Sequence, residues 1–230
     1  MTPQPVEFRH LDIAANRIIS ILNEVNIKFM FVGGYAASLI GSERVTSDID
    51  IITDRTRKEA VNFLLGIAGF SETKRHKPST FYDYHGTNVF IDVLGNPSER
   101  ALRWNVPAPD SNVHKVLPSD NSTRTIGATI PILHPAVLVL TKLKSWRLAK
   151  DSQRQNNLAK ARGHMMDIMA TLRWLVNRKW PIRFAGYPET LKKDLQRWLA
   201  EVFEENIEAR PLLSLTLTMD ELREVLNSNQ

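Results

Sequence analysis

Asp48 and Asp50 stand one residue apart in the run SDIDII, between isoleucines. In an extended strand successive side chains point to opposite faces, so the two carboxylates share one face and Ile49 and Ile51 share the other. Two like charges that close repel, and burying either without a partner costs several kcal/mol. A divalent cation between them removes the conflict, because hard cations such as Mg²⁺ take oxygen ligands. Two exposed acids at a strand end would satisfy the same spacing without a metal. A third acid lies in NVFIDVLG, where Phe90, Asp92 and Leu94 alternate with Val89, Ile91 and Val93. If that strand neighbours the first, Asp48, Asp50 and Asp92 converge. Such a trio can hold two metal ions about 3.5–4 Å apart, the arrangement that supports in-line phosphoryl transfer.

The elements needed to position these groups are legible around them. KFMFVGG reads as a short buried strand ending at Gly33 and Gly34, and YAASLIG as a helix of about two turns closed by Gly41. Glycine lets a backbone approach a phosphate, and the start of a helix offers free N–H groups. Upstream, Leu11, Ile13, Ala14, Ile18, Ile19, Ile21 and Leu22 form a helical stripe over residues 9–25. TRKEAVNFLLGIAGF reads as an amphipathic helix with Gly69 just past its end, and TFYDYHGTNVFIDVLG as two strands joined near His85 and Gly86. Residues 95–131 hold five prolines and a polar run, and predict irregular chain with one strand at TIGATIPIL.

From Pro135 the pattern turns helical. PAVLVLTKLKSWRLA opens with proline in the first turn, where a missing N–H is harmless. A polar loop DSQRQNN precedes the helix AKARGHMMDIMATLRWLVN, and PETLKKDLQRWLAEVFEEN follows. TMDELREVLN is a short last helix, with capping-box spacing from Thr218 to Glu221. The expected organisation is a mixed α/β domain over residues 1–131 and a helical domain over 132–230.

These residues together resemble the nucleotidyltransferase superfamily, whose fold is that of DNA polymerase β. Its signature is a strand, a glycine pair, an Asp-x-Asp strand and a later strand with a third acid. Arg44 and Thr46 ahead of the Asp pair make the AbiEii-type and related minimal nucleotidyltransferases the most similar subgroup. LVLTKLKSW resembles that group's helix with a functional lysine, here Lys142, and Lys160 with Asp167 resembles its following helix. The resemblance spans about residues 10–178. Gly34 stands where a serine is common, and Ala161 follows Lys160 where an aspartate is usual.

What the resemblance implies is an α+β fold with flanking helices and a C-terminal helical bundle, and transfer of a nucleoside monophosphate from an NTP to a hydroxyl. Asp48, Asp50 and Asp92 would be catalytic and would hold Mg²⁺, with Mn²⁺ as the alternative. Gly33, Gly34, Arg44, Thr46, Lys142 and Lys160 would bind the nucleotide. The acceptor is left open among an RNA or tRNA 3′ end, a protein and a small molecule. So is an idle fold used as a nucleic-acid-binding module or as a toxin–antitoxin-type partner of another protein. Lys142 is equally compatible with a lysine snorkelling from its helix, and His164 reads as a helix-surface or core-edge residue.

Composition narrows the classes. The 230-residue chain has no cysteine, which excludes a disulfide framework and a thiolate zinc site. No apolar stretch reaches the ~20 residues of a membrane span, and the expectation is a cytoplasmic protein without a membrane partner. Net charge is +5, but unevenly placed. Residues 141–180 hold ten bases and two acids, and residues 201–230 seven acids and two bases. The basic stretch is either a solvated helix face or a surface for RNA.

Overall fold

A computed structural model describes residues 7–72, 80–95, 113–116, 129–185 and 187–228. The chain divides into two compact units, Met1–Leu39 with Val45–Leu133, and Ile40–Arg44 with His134–Gln230.

In the first unit, the described strands are β1 (Phe29–Val32), β2 (Asp48–Thr53), β3 (Phe70–Glu72), β4 (Thr80–Tyr84), β5 (Thr87–Val93), β6 (Val113–Val116) and β7 (Ile130–Leu133). They form one mixed sheet in the order β3-β4-β5-β2-β1-β7-β6. The two strands that carry the acids are parallel neighbours, while β1 lies antiparallel on the other flank of β2. The described helices of this unit are α1 (Phe8–Glu24), α2 (Gly33–Leu39) and α3 (Arg57–Leu65). α1 touches β2, β4 and β5, and α3 touches β3 and β5. Ile49, Ile51, Val89, Ile91 and Val93 are all buried, as the alternation of these strands requires. Burying each such side chain stabilises by about 1.5–3 kcal/mol.

The β4–β5 turn is the two-residue hairpin expected at His85 and Gly86. Both have positive φ, 50° and 84°, as in a type I′ turn. Gly69 starts the approach to β3 rather than closing α3, which ends earlier at Gly66. Its φ is +93°, and a Cβ there would come 2.8 Å from the Tyr82 ring, so the glycine serves sheet packing. β3 and β6 were not expected. β3 is three residues long, too short to show alternation, and exists through its pairing with β4. β6 falls in the proline-rich passage where irregular chain was expected, and pairs antiparallel with β7. Most of that passage lies outside the described residues.

The second unit is helical: α4 (Pro135–Lys150), α5 (Gln155–Arg178), α6 (Glu189–Glu205), α7 (Ala209–Thr216) and α8 (Met219–Asn227). Pro135 sits in the first turn of α4, and the backbone N–H of Ala136 donates to His134 Nδ1 at 3.2 Å. Thr218 and Glu221 form the expected capping box. α5 starts inside the stretch expected as loop, since Gln155–Asn157 already make its first turn. α7 was not expected from the sequence, and Pro211 lies near its start. The proline lies in the first turn, where it is tolerated.

One buried polar contact ties α2 to α1. The Tyr35 hydroxyl donates to Asp12 Oδ1 at 2.9 Å, and both residues are buried. Tyr35→Phe removes a donor from a buried carboxylate, and should destabilise the protein by about 1–3 kcal/mol. Urea unfolding followed by circular dichroism measures it.

Candidate active site

Asp50 and Asp92 are direct cross-strand partners, and Asp48 lies opposite Phe90. Paired residues of neighbouring strands share a face, and so do residues two apart along a strand. The three carboxylates therefore emerge on one side of the sheet. Asp48 and Asp50 are half-buried and Asp92 is exposed, while their strand neighbours Ile49, Ile51, Ile91 and Val93 are buried on the other side.

Two small residues fix the acids of β2. The Thr46 hydroxyl donates to Asp48 Oδ1 at 2.9 Å, and Thr46 is itself buried. Thr46 was expected among the nucleotide ligands; its hydroxyl is placed on the carboxylate. Gly33 follows β1 with φ +70°, and a Cβ built there would stand 1.7 Å from Asp50 Oδ2. The glycine is required because the Asp50 carboxylate occupies that space. Gly34, next in the chain, is buried in the first turn of α2.

The donor set is three carboxylates on one face of adjacent strands, which suits a hard divalent cation. Among the described residues, no three His, Cys, Asp or Glu side chains are gathered closely enough to chelate one ion in this conformation. The register brings Asp50 and Asp92 side by side, with Asp48 one step along the same face. The residues fit the chemistry of Mg²⁺.

The cations expected at the nucleotide lie in the second unit. Lys142 is buried on α4, and its Nζ is 2.7 Å from Asp167 Oδ2 on α5. Arg44 Nη1 is 3.4 Å from the same oxygen, and the Ser42 hydroxyl donates to Asp167 Oδ1 at 2.7 Å. Gly163 gives Arg44 its path, since a Cβ there would meet Arg44 Cδ at 2.8 Å. Asp167 is thus a buried anion held by two cations and a hydroxyl, the company a buried charge needs. Neither Ser42 nor Gly163 carried a sequence signal. Lys160 is exposed on α5.

The basic stretch 141–180 spends much of its charge within this unit. Lys150 pairs with Glu201 and Glu205, Arg147 with Asp151 and Glu201, and Arg173 with Glu208. Arg178 lies 3.8 Å over the Trp174 ring. The acidic segment that begins at residue 201 is the partner of the basic one.

His164, half-buried on α5, makes no metal cluster among the described residues. Burial first, then the charges of Lys142, Arg44 and Lys160, hold its pKa down at about 4; Asp167 acts in the opposite sense.

Residues 15–98 match the family model of aminoglycoside-2″-adenylyltransferases. No curated protein matches the sequence. Among solved structures, the chain is similar to an antigenic nucleotidyltransferase-like protein from Paracoccidioides brasiliensis. The two share 16% identity over 94% of this chain and 98% of the other, with a TM-score of 0.73. The chain therefore shares the fold of that nucleotidyltransferase-like protein. The antibiotic-resistance factor ANT(2″)-Ia (10% identity, 74% and 91% covered) and the lincosamide antibiotic adenylyltransferase LnuA (12%, 70% and 98%) align at TM-scores of 0.41 and 0.37, too low to add to that assignment. The AbiEii-type likeness rests on the motif residues alone.

Two outcomes test this geometry. Gly33→Ala should displace the Asp50 carboxylate and strain a left-handed backbone position, lowering stability by at least about 1 kcal/mol in urea unfolding. For His164, the unfolded chain binds a proton that the folded protein refuses between pH 6.5 and about 4. Its contribution is therefore complete above pH 6.5 and falls away as pH drops through that window. His164→Gln should flatten the dependence of the melting temperature on pH there.

Proposed function

We propose that this chain is a nucleotidyltransferase, a reading its fold and its partial family match support, and that it transfers a nucleoside monophosphate from an NTP to a hydroxyl using Asp48, Asp50 and Asp92. The observation that supports the reading most directly is the register that sets Asp50 against Asp92 on parallel strands, with Asp48 on the same face. The matched family is one of adenylyltransferases, which makes ATP the first nucleotide to test.

In this reading the acceptor oxygen forms a bond to the α-phosphorus. The bond from that phosphorus to the β-phosphate oxygen breaks, and pyrophosphate leaves with the electron pair. Asp92, the most exposed of the three acids, accepts the hydroxyl proton. Asp48 and Asp50 would hold divalent metal, and Asp92 would contribute a further carboxylate. Bound Mg²⁺ supplies charge neutralisation for the phosphates and the leaving group. Thr46 keeps Asp48 oriented, and the space left by Gly33 lets Asp50 stay against the end of β1. The backbone at Gly33 and Gly34 is the candidate contact for the phosphates.

Lys142 and Arg44 enter this reading with a changed role. Their pairing with Asp167 makes them holders of the second unit's interior. The ion pairs of Arg147, Lys150 and Arg173 leave less support for an RNA acceptor than the raw charge count suggests.

Asp50→Asn keeps the shape of the side chain and removes one ligand charge. Titration calorimetry with ATP and Mg²⁺ should show binding to the wild type and a loss of at least about tenfold in the variant, with an unchanged far-ultraviolet spectrum. Equal Mg²⁺-dependent binding in both would sink the assignment of Asp50.

A further inference from the structure

The open face that carries the acids also carries an aromatic pair. Phe90 is 46% exposed and lies directly opposite Asp48 on one side and Phe81 on the other. The two rings meet at 6.3 Å between centroids, at 64°. Phe90 precedes Asp92 by two residues, so the two side chains leave the same face about 7 Å apart. Leaving a phenylalanine half open to water forgoes much of its burial energy, and here it happens beside the one acid placed to take a proton.

The strand order gives the face a direction. The glycine turn follows β1, on one flank of β2, and β5 and β4 lie on the other flank. In-line transfer places the attacking oxygen and the departing pyrophosphate on opposite sides of the α-phosphorus. With the phosphates at the glycine turn, the acceptor enters from the β5–β4 flank and crosses Phe90. Among the described residues of that flank, Asp83 lies two residues beyond Phe81 on the same face, and the strands β2, β4 and β5 contain no Lys or Arg. A chain of RNA phosphates finds no cation on these strands, though such binding depends on cations.

We propose that Phe90, backed by Phe81, is the acceptor platform, and that it stacks a planar ring of a small molecule whose hydroxyl reaches Asp92. The acceptor class is nucleoside-like: a flat heterocycle joined to a hydroxyl-bearing group, without a phosphate chain. The proposal rests on the nucleotidyltransferase reading above. It assigns Phe90 to specificity, and Phe81 to holding the Phe90 ring.

Saturation-transfer NMR tests it without turnover. The protein is saturated with Mg²⁺ and a non-transferable α,β-methylene ATP, so that the donor position is filled. Adenosine, ribose and a short RNA ending in adenosine are then added separately. Adenosine and ribose share the sugar hydroxyls and differ in the flat ring. The wild type should bind adenosine with transfer to its base protons, about tenfold or more better than ribose, the scale of stacking on one aromatic side chain. Phe90→Ala should collapse that preference toward unity and Phe90→Trp should keep it. A folding defect would weaken both probes alike and leave their ratio intact. Failure to bind the Mg²⁺–ATP analogue overturns both this proposal and the reading beneath it. Analogue binding without a preference for adenosine, or a preference that survives Phe90→Ala, overturns the platform alone. RNA that binds far more tightly than adenosine and weakens steeply with salt overturns the small-molecule class.

Discussion

Everything at the candidate site depends on one unfavourable pairing. Asp50 faces Asp92 across two parallel strands, where like charges about 5 Å apart repel by roughly 3 kcal/mol at an effective dielectric near 20, and by less where water reaches them. The same register sets Ile49 against Ile91 and Ile51 against Val93, all buried. Four such side chains stabilise by about 6–12 kcal/mol, so the back of the sheet decides the register and the front accepts it. A one-residue slip would reverse both faces and bury the acids. The carboxylates stay together because the hydrophobic side leaves them no alternative.

That arrangement explains why the acids were legible from sequence and their supports were not. Alternation alone placed Asp48 with Asp50, and Phe90 with Asp92, since a period of two is a property of the strand. The capping box at Thr218 and the hairpin at His85 and Gly86 were legible for the same local reason. What Gly33 does was not, because its neighbour Asp50 is brought to it by strand pairing. The hydrogen bond from the Thr46 hydroxyl to Asp48 was likewise not legible, because it depends on how the turn before β2 closes. β3 and β6 are made by their partners, and nothing within three or four residues could announce them. Lys142 shows the strongest tertiary override. A lysine on a helix is by default solvated, and this one is buried against an aspartate 25 positions on.

The second unit solves its charge problem inward. Asp167 is fully buried, and its two oxygens are taken by Lys142, Arg44 and Ser42. An isolated carboxylate would not stay ionised there; with two cations it serves as a fixed point for α4, α5 and the segment 40–44. Burial first, and then these same cations, raise the cost of protonating His164. On the outside, bases of α4 and α5 meet acids of α6 and of the turn before α7. The opposite net charges of the two sequence stretches are therefore a packing pattern, although each exposed pair contributes only about 0–1 kcal/mol.

Strand β5 then divides its labour by parity. Thr87, Val89, Ile91 and Val93 are buried, while Asn88, Phe90 and Asp92 are exposed. The buried set is constrained by volume, since a lost methylene leaves a void that the rigid sheet cannot close. The exposed set is free of that constraint, and no packing force dictates a phenylalanine or an aspartate there. An aspartate opposite another aspartate, and a half-open aromatic beside it, are each poor choices for stability. Neither choice follows from the packing of the buried set, so the two faces of β5 are specified independently of one another.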